Sequence, residues 1–285
     1  MLIHGHDIHI THPDKVLYLD KGYTKRDLID YYLAVQDTLM VHNAGRPVVF
    51  IRYPHGTPGY SFFQKNIPTG APAWIHTYEM GKFKKVNYQI LHDIADLIWL
   101  VQLHALEFHI INVREPRFDR PDMMVFDIDP PEGQGFISSK RFAIQARPYL
   151  EEMGYKPFVK TSGKRGVHIC CPIKPEHTVD QVMAAAEKAA KYLMSKIMGT
   201  TLEVRKDKRG DRLLIDIYRN RPFQTFSMPY GTRHTPEASV SMPLTWEMLQ
   251  ETDSPARYTI RTVPEILKVK GDPWQGMKDQ ATDLF

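Results

Sequence analysis

Three carboxylates and one short turn carry most of the chemistry available to this sequence. Asp127 and Asp129 alternate with Phe126 and Ile128 at the end of the apolar run Met123-Met124-Val125-Phe126, and residues two apart on a strand share a face. Carboxylates held that close repel each other unless cations lie between them. Mg²⁺ or Mn²⁺ meets that need, because these hard ions bind through a few carboxylates, waters and substrate phosphates. Asp216 adds a third acid among Leu214, Ile215 and Ile217. A buried acid is costly without a partner, and the partner expected here is the same pair of metals. The alternative is that Asp127 and Asp129 only cap the turn ahead of Pro130.

The turn is Ser162-Gly163-Lys164-Arg165-Gly166-Val167-His168. It offers a triphosphate glycines that let backbone N–H groups approach, a hydroxyl, two cations and an imidazole. Arg219 and Arg233, on either side of Gln224 and Thr225, could add charge to the same phosphates. A plain basic hairpin, a core histidine and a solvated arginine face are the competing readings of these residues. Taken together, the acids and the turn describe metal-assisted phosphoryl transfer on a nucleotide, a chemistry shared by polymerases and nucleases.

The elements that must hold these groups follow from pattern. Thr24 with Asp27 opens a capping box, and Leu28, Tyr32, Val35 and Leu39 recur at helical spacing, predicting a helix over about 25–40. Val48–Tyr53 is expected as a strand followed by a turn-rich loop, and Ile90–Leu103 as a helix. After the 123–126 strand comes a helix from about Ser139 to Met153, with Pro148 expected to kink or split it. Pro157–Thr161 and Val167–Ile173 form a hairpin around the Ser162–Gly166 turn. Thr178 with Gln181 caps a long helix through Ile197, and Leu213–Tyr218 is the strand that carries Asp216. The order predicts an α+β fold: a sheet with helices on one face, similar to RNA-recognition-motif-like folds.

At 285 residues, with 42% hydrophobic and 25% charged residues, the chain is of ordinary globular composition, which excludes fibrous and natively disordered classes. It has no apolar run long enough to span a membrane and no secretory signal pattern. The adjacent Cys170 and Cys171 point to opposite faces of a strand, so no disulfide framework or zinc site follows and a cytoplasmic location fits. Net charge is only +4, yet basic residues crowd the second half. His4, His6, His9 and His12 are closely spaced, but no cysteine or second cluster completes a metal site with them.

The Asp127-Ile128-Asp129 strand, the Ser162–His168 turn and Asp216 in an apolar strand resemble, in order and spacing, the three motifs of archaeo-eukaryotic primases. The resemblance is closer to the polymerase domain of bacterial ligase D and its stand-alone relatives in non-homologous end joining. His12-Pro13-Asp14-Lys15-Val16-Leu17-Tyr18, Arg52-Tyr53-Pro54, Phe62-Phe63-Gln64-Lys65, Glu107-Phe108-His109 and Ser241-Met242-Pro243-Leu244-Thr245-Trp246 carry it, and it runs from about residue 8 to 270. The turn departs from the Ser-Gly-Gly-Lys-Gly common among relatives by placing a second cation in it.

The resemblance implies a two-lobed primase-polymerase fold forming one domain over 1–285. An N-terminal lobe over about 1–110 would contact DNA ends, a catalytic lobe would span about 111–270, and 271–285 would be a tail. It implies that Asp127, Asp129 and Asp216 hold two Mn²⁺ or Mg²⁺ ions. His109, Ser162, Lys164, Arg165, His168, Arg219, Gln224 and Arg233 would surround the incoming nucleotide, an NTP or dNTP. Lys15 and Lys25 would grip the 5′-phosphate of a gapped or broken DNA, and Phe62 and Phe63 would stack at the template. The implied activity is template-dependent extension of a DNA 3′-OH at breaks, with ribonucleotides favoured, by two-metal in-line attack. A DNA ligase and a Ku-like protein, as separate polypeptides, would be partners, and two copies could pair across two DNA ends. De novo priming, end bridging with secondary catalysis, and a nuclease are the rival readings.

Overall fold

The computed structural model describes residues 1–285, which divide into two compact units. The first comprises Met1–Ile111, Ser227–Ser241 and Tyr258–Gly271; the second comprises Asn112–Phe226, Met242–Arg257 and Asp272–Phe285. Each unit is therefore discontinuous in sequence, in place of the expected linear split into lobes over 1–110 and 111–270. Burial is the reason. Tyr230, Val240, Tyr258 and Ile260 sit in the core and take part of the chain beyond residue 226 back to the first unit. The expected tail over 271–285 includes Asp272–Phe285 of the second unit, where Trp274 is fully buried and donates its indole N–H to the Val159 carbonyl at 2.9 Å.

The first unit is built on an antiparallel sheet in the order Ala105–Ile110, Pro47–Arg52, Val86–Ile90, Thr77–Met80, with Phe62–Gln64 also pairing with Pro47–Arg52. The expected helix over 25–40 is two helices, Lys25–Ala34 and Gln36–Asn43, with Val35 between them in a non-helical conformation. Its predicted start holds: the Thr24–Asp27 capping box is formed. The helix expected from Ile90 begins at Ile94, because Asp93 and Asp96 form a capping box there and Val86–Ile90 is already a strand.

The second unit, an α+β assembly, carries a six-stranded sheet. Its order is Thr200–Thr201, Leu213–Asp216, Met123–Asp129, Val167–Pro172, Phe158–Thr161, Pro243–Leu244. All neighbours are antiparallel except the first pair. Helices Gly135–Glu152 and Val179–Lys196 each contact the Met123–Asp129 strand and each other, so they cover one face. Phe126 and Ile128 are fully buried, and strand alternation sends Asp127 and Asp129 to the other face. Pro148 lies inside the first of these helices without ending it. It is exposed, so water can satisfy the carbonyl one turn back that loses its N–H donor. No helix is long and apolar enough to cross a membrane.

Candidate active site

Met123–Asp129 is the strand around which the second unit's site is assembled. Asp127 is paired in register with His168 on one neighbouring strand and with Asp216 on the other, and His168 with Lys160 beyond it, so four polar side chains occupy one row across the sheet. Carboxylate oxygens of Asp127, Asp129 and Asp216 all lie within 4.8 Å of one another. His168 Nε2 is 3.1 Å from Asp127 Oδ1. Arg219 Nε donates to Asp127 Oδ2 at 3.1 Å, and its Nη2 lies 3.0 Å from Asp216 Oδ2. The other Asp216 oxygen accepts the Tyr218 backbone N–H at 2.8 Å, which tightens the turn that carries Arg219.

Charge is unevenly compensated across the three acids. Burial opposes ionisation of Asp127, but His168 and Arg219 overcome it and hold its carboxyl well below the usual range. Burial, then repulsion from Asp127 and Asp216, pushes Asp129 up to about 7. Asp216 is also raised, first by burial and then by Asp127, with Arg219 opposing. Burial and the nearby Lys160 pull His168 down to about 4, against the pull of Asp127. A neutral His168 therefore donates from Nε2 to an ionised Asp127, and its buried Nδ1 has no hydrogen-bond partner. Carboxylate oxygens crowded this closely, with two of the acids pushed toward protonation, suit a hard divalent cation that relieves their repulsion, so the acids fit Mg²⁺ or Mn²⁺.

The Ser162–His168 turn closes beside these acids. Ser162 N–H donates to the Gly166 carbonyl at 2.9 Å, and the Ser162 hydroxyl accepts the N–H groups of Gly166 at 3.0 Å and Lys164 at 3.3 Å. Gly163 has φ +77°, a conformation that favours glycine. Gly166 is needed for another reason: a Cβ there would come within 2.8 Å of the Ile128 carbonyl oxygen and 3.5 Å of an Asp129 carboxylate oxygen. The turn is thereby laid against the end of the aspartate strand, with Arg165 exposed. A cleft of about 330 Å³ opens there, lined by Asp129, Arg165, Lys206 and Arg209 among others. Gln224 is exposed in the bend after Arg219 and bonds through its backbone N–H to the Arg221 carbonyl.

Two further constellations lie in the first unit. Lys25 is fully buried, and its Nζ donates to the Thr11 carbonyl at 2.6 Å and to Gln102 oxygens at 3.1 and 3.3 Å. Lys15 Nζ donates to the Pro54 carbonyl at 2.6 Å. No carboxylate is among these partners. Burial, with Lys15 nearby, lowers Lys25 to about 8. Burial and then Lys25, Lys15, Arg52 and His12 lower His104 to about 4. Arg52 lies 5.3 Å over the Phe62 ring, while Phe63 is half exposed and sits 6.4 Å from the His109 ring.

His109 and Arg233 meet at Glu107. His109 Nε2 and Arg233 Nη2 lie 3.5 and 3.4 Å from Glu107 Oε2. Glu107, His234 and Lys160 were missed as site residues, although Glu107 and His109 repeat in Ala105–Ile110 the same acid-and-polar alternation that marks Asp127 and Asp129. Lys160 is fully buried at a position paired in register with His168.

Three acids on adjoining strands beside a glycine-and-cation turn are the arrangement of an enzyme for metal-assisted phosphoryl transfer. The chain belongs to the LigD primase-polymerase domain family, whose family model matches residues 24–274. It is 31% identical to the Bifunctional non-homologous end joining protein LigD of Bacillus subtilis over 94% of this chain and 43% of that protein. It is 30% identical to the Multifunctional non-homologous end joining protein LigD of Mycolicibacterium smegmatis over 98% of this chain and 35% of that protein. The chain thus spans less than half the length of these relatives. Among solved structures, it resembles the polymerase domain from Mycobacterium tuberculosis ligase D in complex with DNA. That match has a TM-score of 0.88 at 28% identity, covering 96% of this chain and 99% of the other.

Proposed function

We propose that this protein is a DNA-repair polymerase that extends a 3′-OH templated by a broken or gapped DNA in non-homologous end joining, with a preference for ribonucleotides. The observation that carries the reading is the clustering of the Asp127, Asp129 and Asp216 oxygens within 4.8 Å beside the Ser162–His168 turn. Asp127, Asp129 and Asp216 would hold two Mn²⁺ or Mg²⁺ ions, which when bound supply a lowered pKa for the attacking hydroxyl and charge neutralisation at the transferred phosphate.

The chain's own residues do the rest. His168 supports the ionised form of Asp127 through their contact. Arg219 holds Asp127 and Asp216 together and must yield those oxygens for a metal to take them. Ser162, Lys164 and Arg165, on a turn braced by its own N–H bonds to the Ser162 hydroxyl, receive the nucleotide's triphosphate, and Gln224 is assigned to the same nucleotide. His109 and Arg233 are assigned to the same nucleotide. Lys15 and Lys25, ammonium groups bonded to neutral oxygens, bind the downstream 5′-phosphate. Phe62 and Phe63 stack on the template. A cytoplasmic setting, a ligase, a Ku-like protein and pairing of two copies across two ends complete the proposal.

The test is primer extension on a short gapped duplex with Mn²⁺, comparing rNTP with dNTP and a 5′-phosphate with a 5′-hydroxyl downstream end. Phosphate-stimulated extension supports the reading. Absence of extension alongside tight binding to the phosphorylated gap would leave only end bridging.

A further inference from the structure

We propose that Glu107 is a positioning residue for the nucleotide, using one buried carboxylate to align the His109 imidazole and the Arg233 guanidinium. The inference deepens the nucleotide-binding roles assigned to His109 and Arg233 and rests on them.

Glu107 is only 1% exposed, in a strand whose neighbouring residues Ala105, Leu106 and Phe108 are fully buried. A carboxylate in such a place is costly unless it is paired and hydrogen-bonded. Here the pairing uses both oxygens on different groups. Oε1 accepts the His234 backbone N–H at 2.9 Å and also contacts His234 Nδ1. Oε2 is shared between Arg233 Nη2 at 3.4 Å and His109 Nε2 at 3.5 Å.

The geometry separates positioning from simple charge compensation. Glu107 and His109 lie on one face of the same strand by alternation, so their spacing is set by the backbone. Arg233 and His234 arrive from a different segment, whose hairpin is closed by Arg233 N–H to the Ser239 carbonyl at 2.8 Å. Glu107 joins that hairpin to the strand at the level of His109, through the His234 N–H on one oxygen and the guanidinium on the other, beside the Thr232 hydroxyl, which donates to the Leu106 carbonyl at 2.6 Å. A strong charge-assisted hydrogen bond would be about 2.7–2.9 Å. At Oε2 the separations are longer, and they place the Arg233 guanidinium and the His109 imidazole against one and the same charge. Arg233 is itself only 9% exposed, so its guanidinium is held among packed groups.

The experiment is a double-mutant cycle in primer extension, with nucleotide KM, kcat and DNA affinity measured for E107Q, R233Q, H109A and the pairs E107Q/R233Q and E107Q/H109A. The amide of E107Q can still accept the His234 N–H but loses the charge that orients the other two groups. The expected result is a rise of about 10-fold in nucleotide KM for E107Q, with kcat and DNA affinity changed by no more than about twofold. Added to R233Q or H109A, the same change should raise KM by less than about twofold further, because the groups it orients are already gone.

An unchanged KM in E107Q, or a rise that adds in full to those of R233Q and H109A, overturns the positioning role. If R233Q and H109A themselves leave nucleotide KM unchanged, the nucleotide-binding assignment fails, and the inference falls with it. Should E107Q not fold, E107D takes its place. It keeps the charge but retracts it by one methylene, and a KM rise that is non-additive with R233Q supports the role while an additive one overturns it.

Discussion

In the second unit, Asp127, Asp129 and Asp216 are pressed within 4.8 Å of one another, and burial with mutual repulsion drives Asp129 up to about 7. In the first, Lys15 and Lys25 donate ammonium N–H hydrogen bonds to carbonyl and amide oxygens, and burial with mutual repulsion drives Lys25 down to about 8. The two regions are opposite in sign and alike in construction. Each gathers like charge where water is scarce, and each shows the cost as a shift toward neutrality. They differ in internal compensation. The acids have the Arg219 cation against them, besides the neutral His168 that donates to Asp127, whereas the lysines have only neutral dipoles. A site that supplies part of its own counter-charge can stay folded without its ligand. One that relies on dipoles depends more on the anion it awaits.

The sharpest break in this comparison is at the acids. Asp127→Ala or Asp216→Ala should lower primer extension by at least about 10³-fold while DNA affinity, measured by anisotropy, stays within about threefold. A variant that extends at the unmodified rate removes the metal assignment. Arg219→Gln tests the internal compensation. With the guanidinium gone, the metal-free protein should lose about 2 kcal/mol, less than a fully buried pair would cost because Arg219 is partly exposed. Mn²⁺ should recover more thermal stability in this variant than in the parent, and equal Mn²⁺-induced shifts in the two proteins would contradict its place on the metal oxygens.

The lysine pocket should show smaller effects. Lys15→Ala combined with Lys25→Ala should reduce the preference for 5′-phosphorylated over unphosphorylated gaps by about 10-fold, leaving binding to the unphosphorylated gap nearly unchanged. Equal weakening on both substrates would make the pair general DNA contacts. The mildest test is pH. Because Lys25 loses its proton near 8 instead of at its ordinary 10.5, the phosphate preference should decline severalfold as pH rises through about 8, and Lys25→Ala should flatten that decline. The stability linkage has the opposite slope. Between about 8 and 10.5 the unfolded chain keeps the proton that folded Lys25 has released, so this lysine's contribution to stability rises with pH across the window.

What the sequence disclosed was local. The capping boxes at Thr24 and Thr178, the hairpin around Ser162–Gly166 and the alternation at Asp127 and Asp129 each depend on residues a few positions apart, and each is present in the structure. Groups joined across long separations were harder to see. Arg219 was expected among the phosphates and lies on Asp127, 92 positions away, although its i, i+3 spacing from Asp216 was a usable hint. Glu107 meets Arg233 and His234 from 127 positions away in the latter case, a closure that no periodicity announces. Val35 illustrates the reverse error: it continues the apolar helical pattern and is buried, yet it marks a break, because burial rewards its side chain whatever its backbone conformation.

The interleaving of the two units has a consequence for synthesis. The chain enters the second unit at Asn112, returns to the first at Ser227, and alternates until the first closes at Gly271 and the second takes Asp272–Phe285. A nascent chain emerging from the ribosome can form the hairpins and helices of the first 111 residues early, but the partners Tyr258 and Ile260 arrive only near the end. The second unit waits longer still, for Trp274. Co-translational folding is therefore expected to remain incomplete until almost all of these residues are released, and neither unit can be expressed alone as one uninterrupted stretch.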